Sequence, residues 1–140
     1  MRLSDYAQIV HEANAKWWCD LSKPCDNCGA KGFLDCFTCP KCNGFGYAKL
    51  ENRNIPEMLC LIHSEISEAL EGYRKNLQDD KLPQYKMFDV EIVDTLIRLF
   101  DLAKGTGIDL DSVFEAKMKY NAIRKDHSIE ERLKEGGKKI

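Results

Sequence analysis

The chain has 140 residues, of which 44% are hydrophobic and 31% charged, enough apolar material for one folded core and too much for a disordered chain. Lys and Arg number 21 against 23 Asp and Glu, a net charge of −2, so no global basic field exists to hold a nucleic-acid backbone or an anionic membrane. The longest apolar run, Met58-Leu59-Cys60-Leu61-Ile62, is far short of a membrane span, and Met1-Arg2-Leu3-Ser4-Asp5 has no signal-peptide character, so a cytoplasmic protein without membrane contact is expected.

Taken in chain order, residues 4–18 predict a first helix: Tyr6, Ile9, Val10, Ala13 and Trp17 recur at helical spacing, with Ser4 as a candidate cap. From Asp20 to Asn52 the pattern breaks into glycines, prolines and cysteines, as in a compact metal-stapled loop. A second helix is predicted from Asn54 to Lys75, because Asn54 is a good cap, Pro56 fits a first turn and Glu57 sits at the capping-box position. After a polar linker containing Pro83, a third helix spans Lys86–Lys104 and stops at Gly105 and Gly107. Asp109 caps a fourth helix that runs to Arg124, and the charged last fifteen residues are expected to fray. The expectation is an all-α, four-helix bundle forming one domain over 1–140, with an insertion at 20–52 between helix 1 and helix 2.

The insertion holds five of the seven cysteines. Cys25-Asp26-Asn27-Cys28 and Cys39-Pro40-Lys41-Cys42 are two C-x-x-C knuckles, a spacing at which four thiolates complete a tetrahedral Zn²⁺ site of structural type. Cys36 makes a third C-x-x-C with Cys39 and leaves the ligand set open. Cys42-Asn43-Gly44-Phe45-Gly46 resembles half of a DnaJ-type zinc repeat, and Cys28-Gly29-Ala30-Lys31-Gly32 is a looser copy, without the His-Pro-Asp of a J-domain. Lys23, Lys31, Phe33, Phe37, Lys41, Phe45, Tyr47 and Lys49 offer a small basic-aromatic surface suited to nucleic acid or protein.

The helices carry the other signal. Glu65 and Glu68 are three apart on helix 2, and Glu91 and Asp94 are three apart on helix 3. Leu59, Ile62, Ile66, Ala69, Leu70 and Tyr73 read as the apolar stripe of helix 2, with Glu65 on its shoulder. Helix 3 is apolar around most of its circumference, and its narrow polar strip of Glu91, Asp94, Arg98 and Asp101 is expected to face a cleft. Four carboxylates converging between packed helices repel one another unless a cation neutralises them, and oxygen ligands suit Mg²⁺, with Mn²⁺ able to replace it. On helix 4, Leu110, Val113 and Phe114 define an inward face that continues into Lys117, Tyr120, Asn121 and Arg124. That continuation is either a phosphate-binding wall or a helix end whose long side chains reach outward to water.

In this order, His63-Ser64-Glu65-Ile66-Ser67-Glu68, Glu91-Ile92-Val93-Asp94, Gly107-Ile108-Asp109-Leu110 and Lys117-Met118-Lys119-Tyr120-Asn121-Ala122-Ile123-Arg124 resemble the MazG-like all-α nucleoside triphosphate pyrophosphatases. The resemblance covers residues 1–18 and 54–126 and leaves the insertion outside. It implies an Mg²⁺-dependent enzyme that cleaves a nucleoside triphosphate to the monophosphate and pyrophosphate, working as a homodimer or homotetramer. Glu65, Glu68, Glu91 and Asp94 would hold the metal, Lys117 and Arg124 would contact phosphates, and Tyr120 and Asn121 would shape that wall. Either Glu65 or Glu68 could orient the attacking water. Trp17 reads as a core residue and Trp18 as the better candidate for a base or an interface, while His63 reads as packing beside the carboxylates. The rival reading is a non-catalytic zinc-bearing helical adaptor that binds nucleic acid or protein through the insertion.

Overall fold

A computed structural model describes residues 1–34, 37–50, 53–124 and 133–134. Cys36, His127, Lys138 and Lys139 lie outside the described residues, so the question of Cys36 as a ligand and of a terminal lysine tail rests with the sequence. The described chain is mainly helical: α1 (Leu3–Asn14), α2 (Ile55–Lys75), α3 (Met87–Gly105) and α4 (Leu110–Ile123), with a 3-10 turn at Ala15–Trp18. Among the described residues no helix is long and apolar enough to cross a membrane.

Local chemistry sets the helix ends. The Asn54 side chain accepts from the Glu57 N–H at 3.2 Å to open α2, and Asn76 closes it in the left-handed conformation, φ 51°. Asp109 opens α4 by accepting from the Ser112 N–H at 3.1 Å. At α1 the expected Ser4 cap gives way to Arg2, because Asp111 of α4 accepts from the Leu3 and Ser4 N–H groups at 3.0 and 3.4 Å. The first helix also stops earlier than its apolar spacing predicts, tightening into the 3-10 turn that carries both tryptophans.

The centre of the helical part is a small apolar cluster of Met58, Ile62 and Leu102, with Trp18 and Ile55 packed against it. Here α2 is rotated relative to the expected stripe. Its buried row is Met58, Ile62, Glu65, Ala69 and Gly72, which packs on α3. Gly72 allows this approach, since a Cβ there would lie 2.9 Å from the Met87 side chain. Glu65 therefore occupies the middle of the buried face, and Leu59, Ile66, Leu70 and Tyr73 are left outside, with Tyr73 70% exposed. Helix α3 shows the same inversion: Glu91, Thr95 and Asp101 are buried, whereas Ile92, Val93, Leu96 and Leu99 face out. Helix α4 buries no residue at all and packs mainly against α1, so Val113 and Phe114 are exposed where an inward face was expected.

Between the 3-10 turn and α2, the insertion is a strand-framed module. Strands β1 (Cys19–Pro24) and β4 (Tyr47–Lys49) pair antiparallel at its foot, and β2 (Phe33–Leu34) pairs with β3 (Phe37–Thr38) at its tip. Strands β2, β3 and β4 are too short to have been visible as alternation in the sequence, and β1 does not alternate, with buried Cys19 followed by exposed residues from Leu21 on.

Candidate functional site

Two clusters of metal-ligating side chains are present among the described residues. In the insertion, Cys25, Cys28, Cys39 and Cys42 are buried and place their sulfurs within 4.8 Å of one another. The two knuckles repeat with a 14-residue offset. Cys25 Sγ lies 4.0 Å from Cys39 Sγ, and Cys28 Sγ lies 3.7 Å from Cys42 Sγ. The Gly32 N–H donates to Cys28 Sγ at 3.3 Å, and the Gly46 N–H donates to Cys42 Sγ at 3.2 Å. Both glycines are required. Their φ angles are +76° and +79°, and a Cβ at Gly32 would sit 2.2 Å from the Gly44 carbonyl oxygen, while one at Gly46 would sit 2.4 Å from that of Ala30.

Burial opposes ionisation of the Cys39 thiol, but the Asn27 amide at 3.3 Å and the Lys41 and Cys42 N–H groups outweigh it and bring its pKa down to about 6. Burial and the neighbouring thiols push Cys28 up to about 11. A group of four sulfurs in which one ionises readily and the next resists is what a thiophilic cation relieves, and these four can bind a metal such as zinc. N–H donors aimed at sulfur are the outer partners such a site needs.

The second cluster lies between α2 and α3. Glu65, Glu91 and Asp94 each offer a carboxylate oxygen within 4.8 Å of the others, and Glu65 and Glu91 are only 6% and 8% exposed. Burial, together with the hydrogen-bonded Glu65 and the charges of Glu68, Glu65 and Asp94, raises the Glu91 carboxyl to about 7. Asp94 is raised as well, by burial first and then by the Glu65 charge, against the pull of Arg98. Arg98 is the one cation found bonded inside the group among the described residues, its Nε donating to Glu65 Oε1 at 2.6 Å. One guanidinium against this set leaves repulsion that a hard divalent ion can remove. Glu68 acts on Glu91 through its charge, but its side chain is exposed and stands outside the converging three.

Beside this cluster opens a cavity of about 480 Å³, walled by Asn14, Trp17, Arg53, Asp94, Arg98 and Asp101 among others. That volume suits a small-molecule ligand. The tryptophans exchange their expected places. Trp17 lines the cavity and is exposed, with Lys16 Nζ 5.0 Å from its ring centre. Trp18 packs into the core, where its Nε1–H donates to Asp101 Oδ1 at 2.9 Å and the His11 ring meets its edge at 5.1 Å. Buried Asp101 also bonds His11 Nδ1 at 2.7 Å, tying α1, the 3-10 turn and α3 together. His63 is exposed.

On α4, Lys117 Nζ and the Arg124 guanidinium flank the Tyr120 ring at 5.2 and 5.7 Å, and Asn121 Oδ1 is buried without a hydrogen-bond partner. Lys117, Tyr120 and Arg124 thus gather together, but none of these four residues lines the cavity beside the carboxylates of the same chain. Asp94, Arg98 and Asp101 of the expected α3 strip do line the cavity, whereas Asn14, Trp17 and Arg53 of its wall were not assigned to the site from the sequence. Comparison with protein-family models, with curated proteins and with solved structures finds no match to this chain.

Proposed function

We propose that this protein is a divalent-cation-dependent nucleoside triphosphate pyrophosphohydrolase of the MazG-like kind, yielding a nucleoside monophosphate and pyrophosphate. The observation that carries the reading is the meeting of Glu65, Glu91 and Asp94 from two helices at the rim of a ligand-sized cavity. An all-oxygen donor set suits Mg²⁺ or Mn²⁺, and Glu68, one turn from Glu65, completes the proposed quartet. Such an ion, when bound, supplies neutralisation of phosphate oxygens and acidification of the attacking water. The chain's own residues do the rest. Glu65 or Glu68 orients the water, and the Arg98 fork binds a phosphate oxygen. Asp101, on the same cavity wall, is already held by His11 and Trp18, so the wall behind the substrate is fixed before it arrives. In the cysteine module, bound zinc is structural, because four thiolates leave no open position.

The reading includes a homodimer or homotetramer. Support comes from the apolar faces that a single chain leaves uncovered: Leu70 and Tyr73 on α2, Val93 and Leu96 on α3, and Phe114 on α4. A second subunit would cover them and could bring Lys117, Tyr120, Asn121 and Arg124 to a neighbouring cleft.

The test is pyrophosphate release from a panel of ribo- and deoxyribonucleoside triphosphates, with Mg²⁺ or EDTA, by wild type and Glu91→Gln. Metal-dependent release that the variant loses is the expected result, and the ranking names the preferred base and sugar. No release from a folded, zinc-loaded protein with any nucleotide would favour the adaptor.

A further inference from the structure

The cysteine module sits in the chain between the two residues that close the outer side of the cavity. Trp17 lies one residue before the 3-10 turn hands over to β1, and Arg53 lies just before α2. The foot of the module joins them. Cys19 pairs with Lys49 and Asp20 with Ala48, and the Leu50 N–H donates to the Trp18 carbonyl at 2.9 Å. Across that closure the Arg53 guanidinium donates to the Trp17 carbonyl and lies 5.3 Å from the Trp18 ring centre. Farther out, the Cys25 N–H donates to the Gly46 carbonyl at 2.8 Å, which ties the first knuckle to the end of the second. Among the described residues, the buried cluster of the module is the four cysteines themselves. Its strand pair at the foot therefore depends on what the sulfurs hold.

We propose that the cysteine module is a clamp that fixes Trp17 and Arg53 as the outer wall of a nucleoside subsite, so that metal on the thiolates sets how tightly the base and sugar of a substrate are held. The inference rests on the proposed reaction for the identity of the ligand. Phosphates lie toward Asp94 and Arg98, and the nucleoside lies toward the opposite side of the same cavity. There Trp17 offers an exposed indole face for a base to stack on, and Asn14 offers an amide that reads a polar edge. Arg53 is a positioning residue: anchored to the Trp17 carbonyl, it limits where the indole can stand. The module thus acts on substrate affinity without touching the carboxylates between α2 and α3.

The test compares wild type, Trp17→Ala, Arg53→Gln and Cys42→Ser by titration with a non-hydrolysable nucleoside triphosphate analogue, and separately with Mn²⁺ alone. Each variant should weaken nucleotide binding about tenfold, the loss expected when one stacked base is released, while Mn²⁺ affinity stays within about twofold of wild type. Arg53→Gln should add little to Cys42→Ser, since both loosen one wall. Amide exchange supplies the arm that needs no nucleotide. In wild type stripped of zinc, the Leu50 N–H and residues 47–49 should exchange faster while the α2–α3 pair keeps its protection. Unchanged nucleotide affinity in Cys42→Ser, or an unchanged Leu50 N–H after zinc removal, overturns the clamp. Equal loss of protection in α2 and α3 also overturns it, because the module would then support the whole fold. Wild type that binds no nucleotide refutes the pyrophosphohydrolase reading instead, and the exchange arm still decides the clamp.

Discussion

The two ligand clusters of this molecule are built by opposite means. The cysteine cluster comes from one short stretch of chain, its four sulfurs buried and backed by N–H donors from Gly32, Gly46 and Asn27. The carboxylate cluster comes from two long helices, has Arg98 as its one bonded cation among the described residues, and opens onto a cavity. On the proposed reading, the closed set of donors with its outer partners in place is a staple. The open set, held under repulsion beside space for a ligand, is on the same reading the one that takes up a cation and substrate. The difference shows why similar ligand geometry does not mean similar purpose: access and residual charge decide.

The largest effect that separates the two is expected from Cys39→Ser. The purified variant should carry no zinc, and residues 19–50 should lose amide protection, while α2 and α3 remain helical; zinc content and site-resolved exchange check this. Loss of all helical signal would mean that the staple and the helices are one cooperative unit. Next comes Glu91→Gln, expected to lower kcat about a hundredfold or more in the pyrophosphate assay. The same change should raise the melting temperature of metal-free protein at pH 8, because it removes a repelled buried charge. That combination, less active and more stable, is hard to obtain from simple damage to the fold.

The pH dependence follows with its sign. Glu91 in the folded chain holds its proton up to about 7, above the ordinary 4.5, and Asp94 is displaced in the same direction. Between those values the folded state binds more protons than the unfolded one, so metal-free stability falls as pH rises from 4.5 through about 7. Saturating Mg²⁺ should flatten that slope, as should Glu91→Gln; melting curves across the window measure both. Gly105→Ala tests the core that carries the site. A Cβ there would come 2.0 Å from the Trp18 ring, which is held by Asp101, so a loss of about 1–3 kcal/mol is expected in urea unfolding despite the better helix propensity. The smallest effect belongs to Asp109→Ala, which removes the α4 cap and should lower Tm by a few degrees without altering either cluster.

Much of this plan was legible in the sequence, and the reasons differ by region. Asn54, Pro56, Asp109 and the glycines around the end of α3 mark helix ends by local chemistry, and the structure places α2, α3 and α4 within a residue or so of the expected bounds. The C-x-x-C pairs bring four sulfurs together because the ligands are close in sequence. Faces were harder. On α2 the count of apolar residues favours Leu59, Ile66 and Leu70, but a single chain buries the row through Glu65, since Gly72 and Ala69 let α3 come close there. Apolar periodicity reports every face that avoids water, including faces that a second subunit would cover, and cannot say which one faces α3. For the tryptophans the cause is the face that α1 buries: Ala7 is its buried residue, whereas Tyr6, Ile9 and Ala13 are exposed. Trp18 continues the Ala7 face and comes onto Asp101, and Trp17 is left on the cavity wall. Arg53 is separated from Trp17 by the whole insertion, so only the strand pair at its foot makes them neighbours.

The central claim is that the carboxylate cleft, with a divalent cation, cuts a nucleoside triphosphate between its α and β phosphates. Following the products by phosphorus NMR, with a triphosphate that the panel ranks high, reads this bond directly. The account predicts monophosphate and pyrophosphate in equal amounts, with Mg²⁺ only and not in EDTA. Diphosphate with inorganic phosphate, or an unchanged triphosphate in the presence of folded, zinc-loaded protein, would contradict it.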